Sequence, residues 1–208
     1  RKCPSCLKGL QQYCIEGMTG TYNQLERDGK TPAMGGYSNV MVINEDYAVS
    51  IPDNLPLDGV APLLCAEITL YSPIKHWKVQ AGSKVAVMGL GGLGHMGVKF
   101  AAAMGAEVTV LSHSPGKKAD AIAMGAHHFV STKDIENLKP LAKSFDLILN
   151  TVSAELDIND YLNLLKLDGT LVVIGLPGTP YAVHAGTLLN GRRSLSGSMI
   201  GGIPEMQE

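Results

Sequence analysis

The chain has 208 residues, which is enough for one large or two modest domains. Its composition is 45% hydrophobic and 17% charged, as expected of a globular protein with an apolar core. The net charge of −2 gives no electrostatic reason to bind nucleic acid or an anionic membrane, and no apolar run reaches the ~18 residues that a membrane span needs. The composition therefore predicts neither a nucleic-acid partner nor a membrane partner.

The first 34 residues hold three of the four cysteines and show little hydrophobic periodicity, so we expect a loop that something other than an apolar core must order. Cys3, Cys6 and Cys14 follow the spacing C-x2-C-x7-C, and closely spaced thiols are typical of structural zinc sites. Such a site uses four ligands, and this cluster offers three. Thiols kept for a metal, rather than paired in disulfides, predict a reducing compartment and a cytoplasmic protein.

Two further patterns complete the first part of the chain. Residues 36–49 alternate in the manner of antiparallel strands, and residues 51–56 form a turn-rich segment. Residues 57–74 are apolar and helical in pattern, and Pro73 is predicted to lie near a break or kink. From these patterns we predict an antiparallel first domain over residues 1–80 that needs further strands to close its core.

From residue 84 onwards, short apolar strands alternate with helical patterns. The predicted strands cover residues 84–88, 107–112, 128–131, 146–150, 170–175 and 193–198. The predicted helices cover residues 94–104, 116–125, 134–143, 156–166 and 184–190. This alternation predicts an α/β fold with a six-stranded, doubly wound parallel sheet, known as a Rossmann fold, over a second domain of residues 81–208.

The first strand of this second domain runs into a glycine-rich turn, and a helical pattern follows. Glycines at positions 89, 91 and 94 give G-x-G-x-x-G in the strand-turn-helix context of a dinucleotide-binding motif. In this motif Gly89 permits the tight turn, Gly91 lets the backbone approach a pyrophosphate, and Gly94 lets the helix pack closely on the strand. The alternative is an ordinary glycine-rich turn that ends a strand.

The end of the second strand indicates which dinucleotide is bound. NAD-binding proteins place an acidic residue about 20 residues beyond the glycines, where it binds the ribose 2′-hydroxyl. Here the first acid after the end of the strand is Asp120, and Ser112, Ser114 and Lys117 precede it. Two hydroxyls and a cation suit the 2′-phosphate of NADP, because charge-assisted hydrogen bonds hold phosphate groups. The alternative is a polar turn with a lysine that faces solvent.

Segments along the whole chain, in the same order, resemble the zinc-dependent medium-chain alcohol dehydrogenases, and in particular their NADP-dependent, cinnamyl-alcohol-dehydrogenase-like branch. Besides the cysteine cluster, these segments are Gly35–Ser38, Pro62–Pro73, Gly89–His95, Asn150–Ala154 and Gly197–Glu205. The resemblance implies that residues 1–80 are part of a GroES-like catalytic domain with a structural-zinc lobe. It also implies that the chain is the middle of a longer polypeptide, whose flanks supply the fourth cysteine and the other catalytic zinc ligands.

The resemblance also implies roles for individual residues. Cys65 would be a ligand of the catalytic zinc, and the three cysteines near the start would hold a structural zinc. The positions that would contact the NADP cofactor are Thr69, Gly89, Leu90, Gly91, Gly92, Leu93, Gly94, Ser112, His113, Ser114, Lys117, Thr151, Val152, Gly175, Ser198, Met199 and Ile200. Glu67 stands where the family usually has glycine. Its carboxylate is expected either to turn towards the metal or cofactor or to be solvated or paired with a lysine.

The function that the resemblance implies is zinc-dependent transfer of a hydride between NADP(H) and a primary alcohol or aldehyde, aromatic or aliphatic. The resemblance also implies a homodimer that associates through the edge strand near residues 193–198. Two alternatives stay open. The chain could be a nucleotide-binding module without catalysis, or a zinc-free NADPH reductase of the same superfamily, although Cys65 and the cysteine cluster argue against the reductase.

Overall fold

The computed structural model describes residues 2–36 and 39–208, and no helix in that part of the chain is long and apolar enough to cross a membrane. The described strands are β1 (Tyr22–Leu25), β2 (Pro32–Met34), β3 (Lys84–Met88), β4 (Glu107–Ser112), β5 (His128–Ser131), β6 (Phe145–Asn150), β7 (Leu165–Val173) and β8 (Ser194–Gly197). The described α-helices are α1 (Pro4–Leu7), α2 (Leu57–Pro62), α3 (Ile68–His76), α4 (Gly94–Ala103), α5 (Lys118–Ala123), α6 (Ile158–Leu162), α7 (Ala185–Leu189) and α8 (Ile203–Gln207). Two compact units result, one from residues up to Val60 together with Gly201–Glu208, and one from Ala61–Ile200.

The larger unit is built on a sheet with the strand order β5-β4-β3-β6-β7-β8, in which every neighbouring pair is parallel. Val85 and Val87 of β3 belong to one buried apolar cluster, and Ala86 and Met88 belong to another. Alternate side chains of a strand point to opposite faces, so both faces of the sheet are covered. This order is that of two mononucleotide-binding halves joined at the first strand. The predicted six-stranded, doubly wound fold is therefore confirmed.

Two helix predictions in this unit are wrong. The predicted helix 156–166 ends at Leu162 in the structure, and β7 already begins at Leu165. The cause is an apolar stretch whose periodicity alone does not distinguish a buried helix from a buried strand. The predicted helix 134–143 is a 3₁₀ segment, Ile135–Leu141, that contains Pro140, and proline removes a hydrogen bond that an α-helix needs.

The smaller unit also differs from its prediction. The first 34 residues, expected to be a loop, contain α1, a 3₁₀ turn and the antiparallel pair β1–β2. Residues 39–49, predicted as strands, contain a 3₁₀ turn, Glu45–Tyr47, and no strand is described there. Their alternation buries no face, since Val42 is 94% exposed and Ile43 is 52% exposed, and burial is what stabilises a strand. Residues 37 and 38 of the same prediction lie outside the described residues.

The predicted division of the chain at residue 80 falls inside the larger unit, because α3 packs on the sheet. Leu70 and Ile74 of α3 are fully buried in the same apolar cluster as Val87. A Cβ added at Gly97 of α4 would lie 3.1 Å from Leu70 Cδ1, which shows how closely the two helices approach. α3, with Thr69 in its first turn, and the preceding turn that carries Cys65 therefore both belong to the sheet-containing unit.

Candidate functional site

Close backbone contacts hold the glycine-rich turn between β3 and α4. Gly89 has a φ of +84°, a conformation that favours glycine, and its N–H donates to the carbonyl oxygen of Leu111 at 2.8 Å. A Cβ added at Gly94 would lie 2.2 Å from the carbonyl oxygen of Gly89. The start of α4 can pack against the turn only because residue 94 has no side chain. These contacts are those expected of the first and third glycines of the motif.

The middle of the turn faces open space. A Cβ added at Gly91 or Gly92 would meet no atom within 4 Å. Packing within the protein therefore does not explain these glycines, whereas a phosphate group bound against the backbone would need that room. Leu93 is the N-cap residue of α4, and the N-terminal N–H groups of this ten-residue helix favour an anion. The turn thus fits the pyrophosphate of a dinucleotide.

A cleft of about 440 Å³ lies at the carboxyl ends of neighbouring strands. The predicted cofactor residues that line it are Gly89, Leu90, Ser112, His113, Ser114, Lys117 and Val152. Ser112 is buried, and its Oγ accepts a hydrogen bond from the N–H of Ser114 at 3.3 Å. Lys117 Nζ donates to the carbonyl oxygen of Leu90 at 2.9 Å. The hydroxyls and the cation predicted for a 2′-phosphate therefore share one cleft with the glycine-rich turn.

The cleft also has acidic lining residues that the sequence analysis missed, namely Glu155, Asp157 and Asp160. Asp157 Oδ1 accepts hydrogen bonds from the N–H and the Nδ2 of Asn159 at 2.9 and 2.7 Å, and these bonds lower the pKa of Asp157. Burial, and then the charge of Asp157, raise the pKa of Asp160. The available signal was their position shortly after β6, at the edge of the sheet where open α/β folds bind ligands.

Asn150, at the end of β6, was also missed, and it fixes the turn that follows. Its side chain is fully buried, and Nδ2 donates to the hydroxyl oxygen of Tyr181 at 3.0 Å. Its Oδ1 accepts a hydrogen bond from the N–H of Val152 at 3.0 Å. A polar side chain that ends an otherwise apolar strand was the signal for this role, because buried amides need hydrogen-bond partners.

The turn after β6 packs directly on the glycine-rich turn. Thr151 Oγ1 donates to the carbonyl oxygen of Met88 at 2.7 Å. A Cβ added at Gly89 would lie 3.2 Å from Val152 Cγ2, and one added at Gly175 would lie 2.4 Å from the carbonyl oxygen of Val152. The structure therefore brings Thr151, Val152 and Gly175 to the same edge of the sheet as the glycines.

Ser198, Met199 and Ile200 follow β8, the last strand of the sheet. The N–H of Ser198 donates to the carbonyl oxygen of Val173 at 3.1 Å. Met199 and Ile200 are partly exposed, and Ile200 has a φ of +35°, which is unusual for a β-branched residue. The cleft, as the described residues form it, is not lined by these three residues.

Cys65 lies on a π-helical turn, Leu63–Glu67, between α2 and α3, and it is exposed. Such turns are rare and are frequent at functional sites. Thr69 is buried, and its Oγ1 donates to the carbonyl oxygen of Cys65 at 2.6 Å. The break predicted near Pro73 is not found, because α3 runs through Pro73 and the irregularity precedes it. The turn presents the Cys65 thiol to solvent.

A metal at Cys65 would need ligands besides those that the described chain brings to it. Cys65 belongs to no group of three or more possible metal ligands within residues 2–36 and 39–208. Glu67, on the same turn, has a pKa raised by burial. The ion pairs found among the described residues do not include Glu67. The thiol of Cys65 therefore suits zinc chemically, as one ligand of a larger set.

The three cysteines near the start converge in the smaller unit. The Sγ atoms of Cys3, Cys6 and Cys14 all lie within 4.8 Å of one another, and those of Cys3 and Cys14 are 3.8 Å apart. Two thiolates bound tetrahedrally to zinc at ~2.3 Å lie about 3.8 Å apart. Backbone hydrogen bonds from Cys6 and Ile15 lower the pKa of Cys3 to about 7, whereas burial raises the pKa of Cys6 to about 11. The cluster fits three ligands of a structural zinc.

Comparison with known proteins gives one family and several relatives. The family model described as zinc-binding dehydrogenase matches residues 92–208, which is more than half of the chain. The NADP-dependent alcohol dehydrogenase C 1 of Mycolicibacterium smegmatis is 60% identical over 209 residues, covering 100% of this chain and 60% of the relative. The chain thus spans about 60% of the length of the curated relatives that it matches.

Two solved structures are similar to this chain over nearly its whole length. A cinnamyl alcohol dehydrogenase from Sorghum bicolor has a TM-score of 0.94 at 42% identity, covering 100% of this chain and 59% of that one. A structure described as CAD from Helicobacter pylori, complexed with NADP(H), has a TM-score of 0.89 at 44% identity, covering 99% of this chain and 59% of that one. The similarity therefore includes the cysteine cluster as well as the sheet.

Proposed function

Because the chain belongs to the zinc-binding dehydrogenase family, we propose that it is part of a zinc-dependent oxidoreductase that transfers a hydride between NADP(H) and a primary alcohol or aldehyde, aromatic or aliphatic. One observation carries the proposal. The cleft of about 440 Å³ combines a glycine-rich turn with two serine hydroxyls and the Lys117 ammonium. The same cofactor appears in the names of a similar alcohol dehydrogenase and of a similar solved structure.

Residues of the cleft and of the two turns beside it would divide the work of binding NADP(H). The open backbone at Gly91 and Gly92 would receive the pyrophosphate, while Ser112, Ser114 and Lys117 would hold the 2′-phosphate. The turn fixed by Asn150 would orient the nicotinamide ribose through its neighbours Thr151 and Val152. When bound, NADP(H) supplies hydride exchange and zinc supplies a Lewis acid.

Two zinc sites belong to the proposal. Cys3, Cys6 and Cys14 would hold a structural zinc that orders the cysteine-rich segment, which has few other means of burying apolar surface. Cys65 would supply one thiolate to a catalytic zinc, and segments outside the described chain would supply the remaining ligands. The Thr69 hydroxyl, bonded to the Cys65 carbonyl, would keep the π-helical turn in place beneath the metal ligand.

The first test is direct binding of NADPH and NADH to the purified protein, detected as quenching or enhancement of cofactor fluorescence. NADPH should bind about 100-fold more tightly than NADH, because charge-assisted hydrogen bonds to the 2′-phosphate are lost with NADH. Equal affinities would contradict the assignment of NADP.

The second test is oxidation of NADPH with an aldehyde by the full-length protein, before and after removal of zinc with a chelator. Activity that disappears with zinc and returns with it supports the proposal, whereas zinc-independent turnover supports the zinc-free reductase. A second candidate, a dinucleotide-binding module without catalysis, is favoured by the isolation of Cys65 from other ligands in the described chain. Tight binding of NADPH without any turnover would support that candidate.

The proposed assembly is a homodimer formed through β8. In the described sheet β8 lies at one end and pairs with β7, so its second edge is available to another strand. Light scattering coupled to size-exclusion chromatography would measure the mass, and a monomer at micromolar concentration would contradict the dimer.

The free cysteines support the proposal of a reducing, cytoplasmic environment.

A further inference from the structure

Lys117 makes a contact that recognition of a 2′-phosphate does not require. It lies at the end of the 3₁₀ turn Pro115–Lys117, after β4. Its Nζ donates to the carbonyl oxygen of Leu90, inside the glycine-rich turn that follows β3, at 2.9 Å. Leu90 is itself buried, with 7% of its surface exposed. The lysine therefore joins the segment after β4, where the 2′-phosphate of NADP is expected, to the glycine-rich turn, where the pyrophosphate is expected.

The carbonyl that Lys117 binds controls the direction of the next N–H. A peptide unit is planar and trans, so the carbonyl of Leu90 and the N–H of Gly91 point in opposite directions from one rigid group. Within the described chain, the N–H of Gly91 makes no hydrogen bond, and the space beside Gly91 is open. Holding the carbonyl of Leu90 therefore aims an unused donor away from Lys117, in the part of the turn left open for a ligand.

The ammonium group has donors enough for both tasks. It carries three N–H donors, and the bond to Leu90 uses one of them. The other two are available to a phosphate in the cleft that Lys117 lines. The bond to the turn and the contact with a 2′-phosphate can therefore exist at the same time.

We propose that Lys117 is a positioning residue for the glycine-rich turn, in addition to binding the 2′-phosphate. This inference rests on the proposed function and deepens it. Binding of the pyrophosphate then depends on Lys117 even in a dinucleotide that has no 2′-phosphate. A lysine that only recognised the 2′-phosphate would make no difference to NADH.

The experiment compares Lys117→Met, Lys117→Arg and the control Lys118→Met in the purified protein, with NADPH and NADH as separate ligands. Lys118 is the first residue of α5, is exposed, and is not among the lining residues of the cleft, so its substitution removes the same charge nearby. Thermal unfolding without cofactor is measured for each variant to detect any general loss of structure.

Lys117→Met should weaken NADPH binding by about 100-fold and NADH binding by about five-fold, because it loses both a charged phosphate contact and a hydrogen bond to the turn. Lys117→Arg should recover most of the NADH affinity, since a guanidinium also donates to a carbonyl. Lys118→Met should leave NADH binding within about two-fold of the unsubstituted protein, as expected of a charge outside the cleft.

Three outcomes would overturn the inference. They are NADH affinity that is unchanged or higher in Lys117→Met, a loss of NADH affinity that Lys117→Arg does not recover, and a loss shared with Lys118→Met or with a lowered unfolding temperature. Failure of the proposed function has a different signature. In that case the unsubstituted protein would bind neither dinucleotide saturably, and both proposals would fall together.

Discussion

Two glycines of the same turn, Gly91 and Gly94, should respond in opposite ways to the same substitution. The φ of Gly91 lies outside the left-handed region, and its added Cβ meets no atom within 4 Å, so alanine fits the unliganded protein. At Gly94 the added Cβ would lie 2.2 Å from the carbonyl oxygen of Gly89. Because this neighbour is backbone, either the turn or the start of α4 has to move.

The magnitudes follow from these contacts. Gly91→Ala should raise the free energy of unfolding by up to about 1 kcal/mol, because alanine restricts the unfolded chain. Gly94→Ala should lower it by about 3 kcal/mol, the upper range for overpacking, which corresponds to a fall of about 6–12 °C in unfolding temperature for a chain of this size. NADPH binding should weaken by about 100-fold in Gly91→Ala, because the methyl group occupies the space that a phosphate would fill.

The assay combines thermal unfolding without cofactor with fluorescence titration of NADPH. Gly186→Ala is the matched control, since Gly186 lies on α7 and its added Cβ also meets no atom within 4 Å. This control should be slightly stabilised, by up to about 1 kcal/mol, with unchanged NADPH affinity. Unchanged NADPH affinity in Gly91→Ala would refute the placement of a phosphate beside Gly91. If Gly91→Ala were destabilised as much as Gly94→Ala, the space beside Gly91 could not be open.

Three further predictions concern other parts of the chain. Cys14→Ser should remove zinc from the cysteine cluster, so that a chelator no longer changes the unfolding of this segment. Unchanged zinc content by mass spectrometry would contradict this. Hydrogen bonds from Asn159 lower the pKa of Asp157, so the stability that Asp157 contributes is complete above its unfolded pKa of about 3.9 and is lost as the pH falls further. In urea unfolding, the free energy of unfolding should therefore fall less on acidification in Asp157→Asn than in the unsubstituted protein. Arg193 is buried and donates to the carbonyl oxygen of Leu165 at 3.0 Å, so Arg193→Met should cost about 2–4 kcal/mol in urea unfolding, whereas the exposed Arg192→Met should cost under about 1 kcal/mol.

The inner strands of the parallel sheet could be predicted closely because they are covered on both faces and are therefore largely apolar. β3, β4 and β5 have the bounds expected from the sequence, and β6 begins one residue earlier, at Phe145. The stretch from Leu162 to Leu165 could not be assigned in the same way. It places three buried leucines around the exposed Asn163, yet it contains the end of a helix and the start of a strand, and only pairing with β6 decides between them.

The smaller unit was harder to predict because its structure depends on contacts between distant residues rather than on the local sequence pattern. Val42 and Ile43 carry the alternation of a strand, but their side chains remain largely exposed and no strand is described there. Conversely, α1 is only four residues long and has no apolar periodicity to reveal it. Its place is set by the convergence of Cys3 and Cys6, which the cysteine spacing did predict as a common cluster.

The residues of the candidate site also differ in how well the sequence predicts them. Some share a turn, whereas others share only an edge of the sheet. The glycines and the group from Ser112 to Lys117 have fixed spacings within one turn, so a motif can find them. Asn150 and Asp160 have no such spacing to the glycines, and only the order of the strands brings them together. The bond from Lys117 to Leu90 spans 27 residues, yet it follows from the adjacency of β3 and β4 that the fold requires. Once the strand order is known, the ends of adjacent strands therefore become the places to search for contacts that no motif records.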